Sequence, residues 1–122
     1  MNLNSILIGS ADPAPLVEYY TKLFGEPGWS EGGYTGWMIG TGAVTVGPHD
    51  QVKGKNVEPG RVIWNIETAD VKSEFDRLVG AGATAVQEPY APGDEAMGLI
   101  ATLADPDGNY FQLMSPMDPS GT

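Results

Sequence analysis

The side chains in this sequence best suited to recognising a small molecule are aromatic. Three Trp, five Tyr and three Phe are spread over 122 residues. Trp29, Tyr34 and Trp37 fall on short segments cut by glycines, and Trp64 falls on a later alternating segment. Trp and Tyr carry large rigid faces and one polar atom each, which suits flat or cationic organic ligands. Glu67, together with Glu18 and Glu31, adds negative charge. Gln112 stands on the last apolar segment. Its amide can bond a ligand or satisfy a neighbouring group, and its residue type favours neither. The candidate ligand-binding residues are therefore Trp37, Trp64, Gln112, Trp29, Tyr34 and Glu67. Tyr19, Tyr20, Phe24, Phe75 and Phe111 are expected in ordinary core packing.

Other chemistries fail on residue type or spacing. There is no Cys, which removes disulfides and thiolate metal or redox sites. His49 is the sole His. It falls in a polar connection without a partner to orient it, so a Ser–His–Asp arrangement has no support. Gly40, Gly42 and Gly47 are hairpin glycines rather than a phosphate loop, because no helix follows them. Asp105 and Asp107 sit in a turn sequence and are read as turn formers. Acidic residues outnumber basic ones 16 to 6, giving a net charge of −10. Such a surface repels nucleic acid and anionic membranes and tolerates a cationic ligand. The N-terminal segment lacks a basic leader, and no stretch is long and apolar enough to span a bilayer. A cytoplasmic protein is expected.

The elements that must position these residues follow from periodicity. Leu3 to Ile8 reads as a strand. Asp12 and Pro13 suit a helix start, with the Asp12 carboxylate expected to cap free amides. Leu16, Tyr19, Tyr20, Leu23 and Phe24 follow at helical spacing, and Gly25 ends the helix. Three short strands are expected at Trp29, Tyr34 to Ile39 and Ala43 to Val46. Arg61 to Glu67 alternates as a strand, and Asp70 opens a helix carrying Val71, Phe75, Leu78 and Val79. Thr84 to Val86, Leu99 to Leu103 and Tyr110 to Met114 read as strands, with a loop over 88–98 that could cover a ligand. Strand–helix–strand–strand–strand thus appears twice, and two such units, each too small for a large core, should pair. One domain is expected, with module one at 1–49, a linker at 50–59, module two at 60–116 and a tail at 117–122.

Three segments carry a family resemblance. Asp105-Pro106-Asp107-Gly108-Asn109, followed by Tyr110-Phe111-Gln112-Leu113, resembles the closing hairpin of the vicinal-oxygen-chelate superfamily, which contains glyoxalases, bleomycin-resistance proteins and extradiol dioxygenases. Tyr19 to Gly25 is similar to that group's first helix end. Trp64 to Val71 is similar to the start of its second module. The resemblance spans roughly residues 3 to 116 and implies an α+β fold. Two βαβββ modules would each form a curved mixed sheet with one helix, enclosing a cavity and commonly forming homodimers. It also implies divalent metal ligands on the first and last strands of each module. Those positions fall on Ser5, Ile63, Gln112 and the neighbourhood of Val44 or Thr45. Only Gln112 is a usable donor, and it carries no charge, so no metal and no other cofactor is expected. The first reading is a metal-independent binder of a small aromatic or cationic organic molecule, of the bleomycin-resistance kind. Its partners would be that ligand and a second copy of the chain, with no nucleic acid and no membrane. The alternative is a lyase, isomerase or dioxygenase of the same superfamily acting on a small metabolite, with Gln112 and Glu67 as candidate polar groups. A third is an interaction domain without cavity chemistry.

Overall fold

A computed structural model describes residues 1–94 and 98–116. Two equivalent runs of elements make up the chain. The first is β1 (Ser5–Ser10), α1 (Pro13–Phe24), β2 (Trp29–Glu31), β3 (Tyr34–Ile39) and β4 (Gly42–Pro48). The second is β5 (Trp64–Glu67), α2 (Val71–Gly80), β6 (Thr84–Tyr90), β7 (Ile100–Ala104) and β8 (Tyr110–Met114). Each run forms its own four-stranded sheet, ordered β1-β4-β3-β2 and β5-β8-β7-β6. In both sheets the first strand pairs in parallel with the last, and the other pairings are antiparallel. The expected two-module α+β fold is therefore present, with sheets that are curved but not closed.

Local chemistry explains the helices. Pro13 lacks an N–H where the first turn has no acceptor for one. Asp12 makes no side-chain cap, contrary to expectation. The Ser10 hydroxyl accepts the Asp12 N–H at 3.1 Å instead, which leaves the aspartate facing water. In α2 the anticipated cap is made: Asp70 accepts the backbone N–H of Ser73 at 3.1 Å and its hydroxyl at 2.8 Å. Gly25 ends α1 at φ 90°, a backbone region that side chains other than glycine rarely adopt.

Strand boundaries differ from the periodicity reading: β1 is shifted to Ser5–Ser10 from Leu3 to Ile8 and β4 runs on to Pro48, and the differences at β5 and β6 have a local cause. β5 begins at Trp64 rather than Arg61, because Gly60 to Ile63 make turns and a bend rather than ladder bonds. β6 runs on to Tyr90, past the expected end at Val86, because two register shifts against β7 carry Glu88 and Pro89 along the sheet edge. The expected lid therefore begins as strand. Residues 95–97 and the tail 117–122 lie outside the described residues.

One core serves both sheets. Leu16, Tyr20 and Leu23 of α1 and Val71, Phe75 and Leu78 of α2 join Trp37 and Val46 of the first sheet and Ala101, Leu103, Phe111 and Leu113 of the second in a single buried cluster. Tyr20 is its centre. The ring lies 6.0 Å from Trp37 in the first sheet, and 6.1 and 6.2 Å from Trp64 and Phe111 in the second. Burying each such ring stabilises the fold by roughly 1.5–3 kcal/mol.

Polar bonds fasten the same joint. The Tyr20 hydroxyl donates to Asp105 at 2.7 Å and the Tyr19 hydroxyl to the Ala104 carbonyl at 2.8 Å. The Ser10 hydroxyl donates to Asp107 at 2.6 Å. Asp105 also accepts from the backbone N–H groups of Asp107 and Asn109 and from the Asn109 amide. The turn at 105–109 is thus more than a chain reversal, because it receives bonds from both ends of the first module's opening. Arg77 of α2 donates to the Leu23 carbonyl at the end of α1 at 3.2 Å.

Burial, followed by the nearby Asp105 charge, holds the Tyr20 phenol well above its ordinary value of 10.0. A raised folded-state value means the stabilisation is complete below about pH 10 and is lost as pH rises past it. Stability should be flat through neutrality and fall above pH 10 by about 1.4 kcal/mol per pH unit from this residue. Tyr20→Phe should flatten that slope and cost roughly 1–2 kcal/mol at pH 7, and Asp105→Ala should cost roughly 3 kcal/mol. Urea unfolding across pH would measure all three.

Candidate functional site

Because alternate strand residues point to opposite faces, the shared core leaves one open face on each sheet. On the first sheet the buried face takes Trp37, Val44 and Val46. The open face takes Leu7, Thr45, Gly36 and Trp29 as one row of paired residues, with Tyr34, Gly47 and Gly9 beside it and Met38 on the other side. Leu7, Met38, Trp29 and Tyr34 are all exposed. On the second sheet Trp64, Ile66, Phe111 and Leu113 point inward. Its open face carries the corresponding row Asn65, Gln112, Thr102 and Gln87, with Glu67 and Met114 paired alongside. One face is apolar and aromatic, and the other is lined by amides, a hydroxyl and a carboxylate.

The candidate residues separate accordingly. Trp29, Tyr34, Gln112 and Glu67 stand on open faces. Trp37 and Trp64 do not, which corrects the expectation that they line a cavity. Trp37 is 1% exposed, and its indole N–H donates to the Gly25 carbonyl at 3.0 Å. Trp64 stacks on Phe111 at 5.2 Å and meets Phe24 at 6.2 Å. The reason is strand parity: both sit in phase with the helix-facing apolar residues of their strands. The Trp64 indole N–H is buried and, among the described residues, has no hydrogen-bond partner. Gln112 uses its amide N–H to bond Thr102 at 3.0 Å.

Sequence reading missed Asn65 and Thr102, which complete the polar row. It looked for a donor at Ile63, whereas the strand residue that pairs with Gln112 is Asn65. The alternation of Trp64, Asn65, Ile66 and Glu67 was the available signal. His49 is about half exposed, and its Nδ1 accepts the Gln51 N–H at 3.2 Å. The expected core aromatics Tyr19, Tyr20, Phe75 and Phe111 are buried, with Phe24 packed against them.

The metal positions of the resembling superfamily do not fit this donor set. The open-face residues on the first and last strands are Ser5, Leu7, Ala43 and Thr45 in one module, and Asn65, Glu67, Gln112 and Met114 in the other. Glu67 alone is charged, no imidazole is present, and first-row divalent ions need such donors in numbers. Among the described residues, no three His, Cys, Asp or Glu side chains come together to hold a metal ion. Among them also, no helix is long and apolar enough to cross a membrane.

Comparison with known proteins agrees with this architecture. The model of the glyoxalase-like domain matches residues 5–114. The chain belongs to the glyoxalase-like domain family. No functionally curated protein matches it in sequence. Among solved structures, a glyoxalase-related enzyme from Fulvimarina pelagi is 20% identical, with a TM-score of 0.73 over 99% of this chain and 95% of that one. A glyoxalase/bleomycin resistance protein from Catenulispora acidiphila is 19% identical, with a TM-score of 0.71 over 94% and 99%. TioX from Micromonospora sp. ML1 is 18% identical, with a TM-score of 0.68 over 94% and 98%. At these identities the likeness is one of fold.

The two inward tryptophans give a sharp contrast. Trp37→Phe removes a made hydrogen bond and ring volume, and should cost about 2–3 kcal/mol. Trp64→Phe loses volume but also removes a buried donor without a partner, and should change stability by less than about 1 kcal/mol. Urea midpoints of the two variants check the difference.

Proposed function

We propose that this glyoxalase-like chain is a metal-independent binding protein for a small aromatic or cationic organic molecule, and that a homodimer completes its site. The observation that carries the reading is the shared core. Both sheets direct their apolar faces inward at Tyr20, and each leaves its opposite face uncovered. A single chain therefore leaves each half of a ligand-sized hollow uncovered, whereas drug-sized ligands bury most of their surface. A second copy that sets its amide-lined face over the aromatic face would supply the missing wall, and two-fold pairing would repeat this at two sites. Exposed Leu7, Met38, Trp29 and Tyr34 form the kind of apolar patch that marks a binding or association surface.

The chemistry of the open faces favours binding over turnover. Gln112 and Thr102 bond each other, and Glu67 lies on the same face. These groups orient a ligand by hydrogen bonds and one negative charge. The acidic balance of the whole chain draws cations.

Sedimentation equilibrium should give twice the chain mass at micromolar concentration. Leu7→Glu or Met38→Glu, which sets a charge on the covered face, should weaken association at least about tenfold. Elemental analysis after purification from medium supplemented with manganese, iron, nickel and zinc should find far less than one ion per chain. A monomer would remove the second wall. A stoichiometric ion lost on Gln112→Ala would make the protein a metal-dependent member instead.

A further inference from the structure

The open face of the first sheet holds three glycines where a side chain is expected, and each has another residue laid across it. A Cβ on Gly36 would stand 2.0 Å from Cζ2 of Trp29, and one on Gly47 would stand 2.0 Å from Cδ1 of Tyr34. A Cβ on Gly9 would meet Cβ of His49 at 2.8 Å. None of these three needs glycine for its backbone, since the positive-φ glycines are others. Their common property is the space they leave. Trp29 is the cross-strand neighbour of Gly36, and Tyr34 reaches from β3 over Gly47 on β4. The Tyr34 hydroxyl is tied to the Pro48 carbonyl at 3.2 Å.

Two rings are thus set down flat beside each other on the sheet, one strand and two residues apart. From strand spacing their centres lie about 8 Å from each other. Trp29 is 39% and Tyr34 37% exposed, although one side of each is pressed on the sheet. The opposite sides face outward as a floor. A ring fixed in advance by a glycine seat loses little freedom when a ligand stacks on it. Glu31 pairs with Tyr34 on the same face and is exposed, so a carboxylate borders the floor. The stem of His49 over Gly9 walls the far end.

We propose that this floor is a stacking site for a planar organic cation at least as wide as a fused tricyclic system, with Trp29 and Tyr34 as its contact residues and Gly36 and Gly47 as the residues that hold those rings flat. The assignment rests on the binding-protein reading and specifies the shape and charge of its ligand. Offset stacking and cation–π attraction are the recognising forces.

Calorimetric titration of the full chain with proflavine, a flat tricyclic cation, and tetraphenylphosphonium, a non-planar one, tests it. Proflavine should bind at least about tenfold tighter than tetraphenylphosphonium and quench tryptophan emission, because Trp29 is the most exposed indole. Trp29→Leu and Tyr34→Leu should each weaken proflavine about tenfold. Gly36→Ala should do the same although it removes no ligand contact, since it lifts the Trp29 ring. If Gly36→Ala does not fold, Trp29→Leu, which leaves the glycine in place, decides. Glu31→Gln should weaken proflavine a few-fold. Proflavine binding unchanged by the two leucine variants, or no preference for the flat cation, would overturn the floor while leaving a binding protein of another ligand class. Failure of both cations and of any other organic ligand to bind would overturn the broader reading as well.

Discussion

The position of Tyr20 constrains everything else in this chain. Its ring touches aromatic residues of both sheets, and its hydroxyl ends on a carboxylate that is itself held by the turn of the second module. Apolar packing alone would let two sheets slide or rotate, since dispersion has no direction. The hydroxyl–carboxylate bond does have direction. Together with Ser10 on Asp107 and Tyr19 on Ala104, it fixes how the first module sits on the turn of the second. Because the core takes the apolar face of each sheet, the faces free for other molecules are the opposite ones.

That geometry separates two kinds of aromatic residue that composition cannot tell apart. Trp37 and Trp64 have the same chemistry as Trp29, yet they fall in phase with core residues and are consumed by packing. Trp29 and Tyr34 fall out of phase and are laid on glycines. The two classes thus do different work: one fills the interior, and the other presents flat apolar surface to water. A rigid platform also depends on the interior ring behind it, because Trp37 bonds the end of α1 and steadies β3, on which Tyr34 and Gly36 lie.

Much of the architecture was legible in the residues. Helical spacing in α1, the Asp70 cap and the 105–109 turn are local signals, and all three appear in the structure as read. The Asp12 cap was not, because a competing hydroxyl arrives from Ser10 and that choice depends on a contact with Asp107 across the fold. The ends of β5 and β6 depend on what the neighbouring strand offers, which no single segment reveals. For the candidate site, residue type singled out side chains, and the structure shows only where they lie: Trp29, Tyr34, Gln112 and Glu67 on open faces, Trp37 and Trp64 toward the core. Trp37 and Trp64 were expected on a cavity because parity was not applied, although the alternation of Trp64, Asn65, Ile66 and Glu67 carried it. The glycine seats were invisible for a different reason: Gly47 reads as a hairpin glycine and Gly36 as one position within the strand 34–39, and only the cross-strand partner gives them meaning.

The matching rows Leu7–Thr45–Gly36–Trp29 and Asn65–Gln112–Thr102–Gln87 occupy the same places in two copies of one plan. Outside the irregular stretch of β6 around Gln87, the residues in them are flanked along their strands by residues that turn the other way. Exchange at the exposed ones among these places therefore leaves the interior jigsaw intact, so one half of such a scaffold can turn greasy while the other turns hydrophilic. A doubled unit of this kind evolves as a base plate with interchangeable tiles, and the chemistry it displays can change hands without the plate being recast.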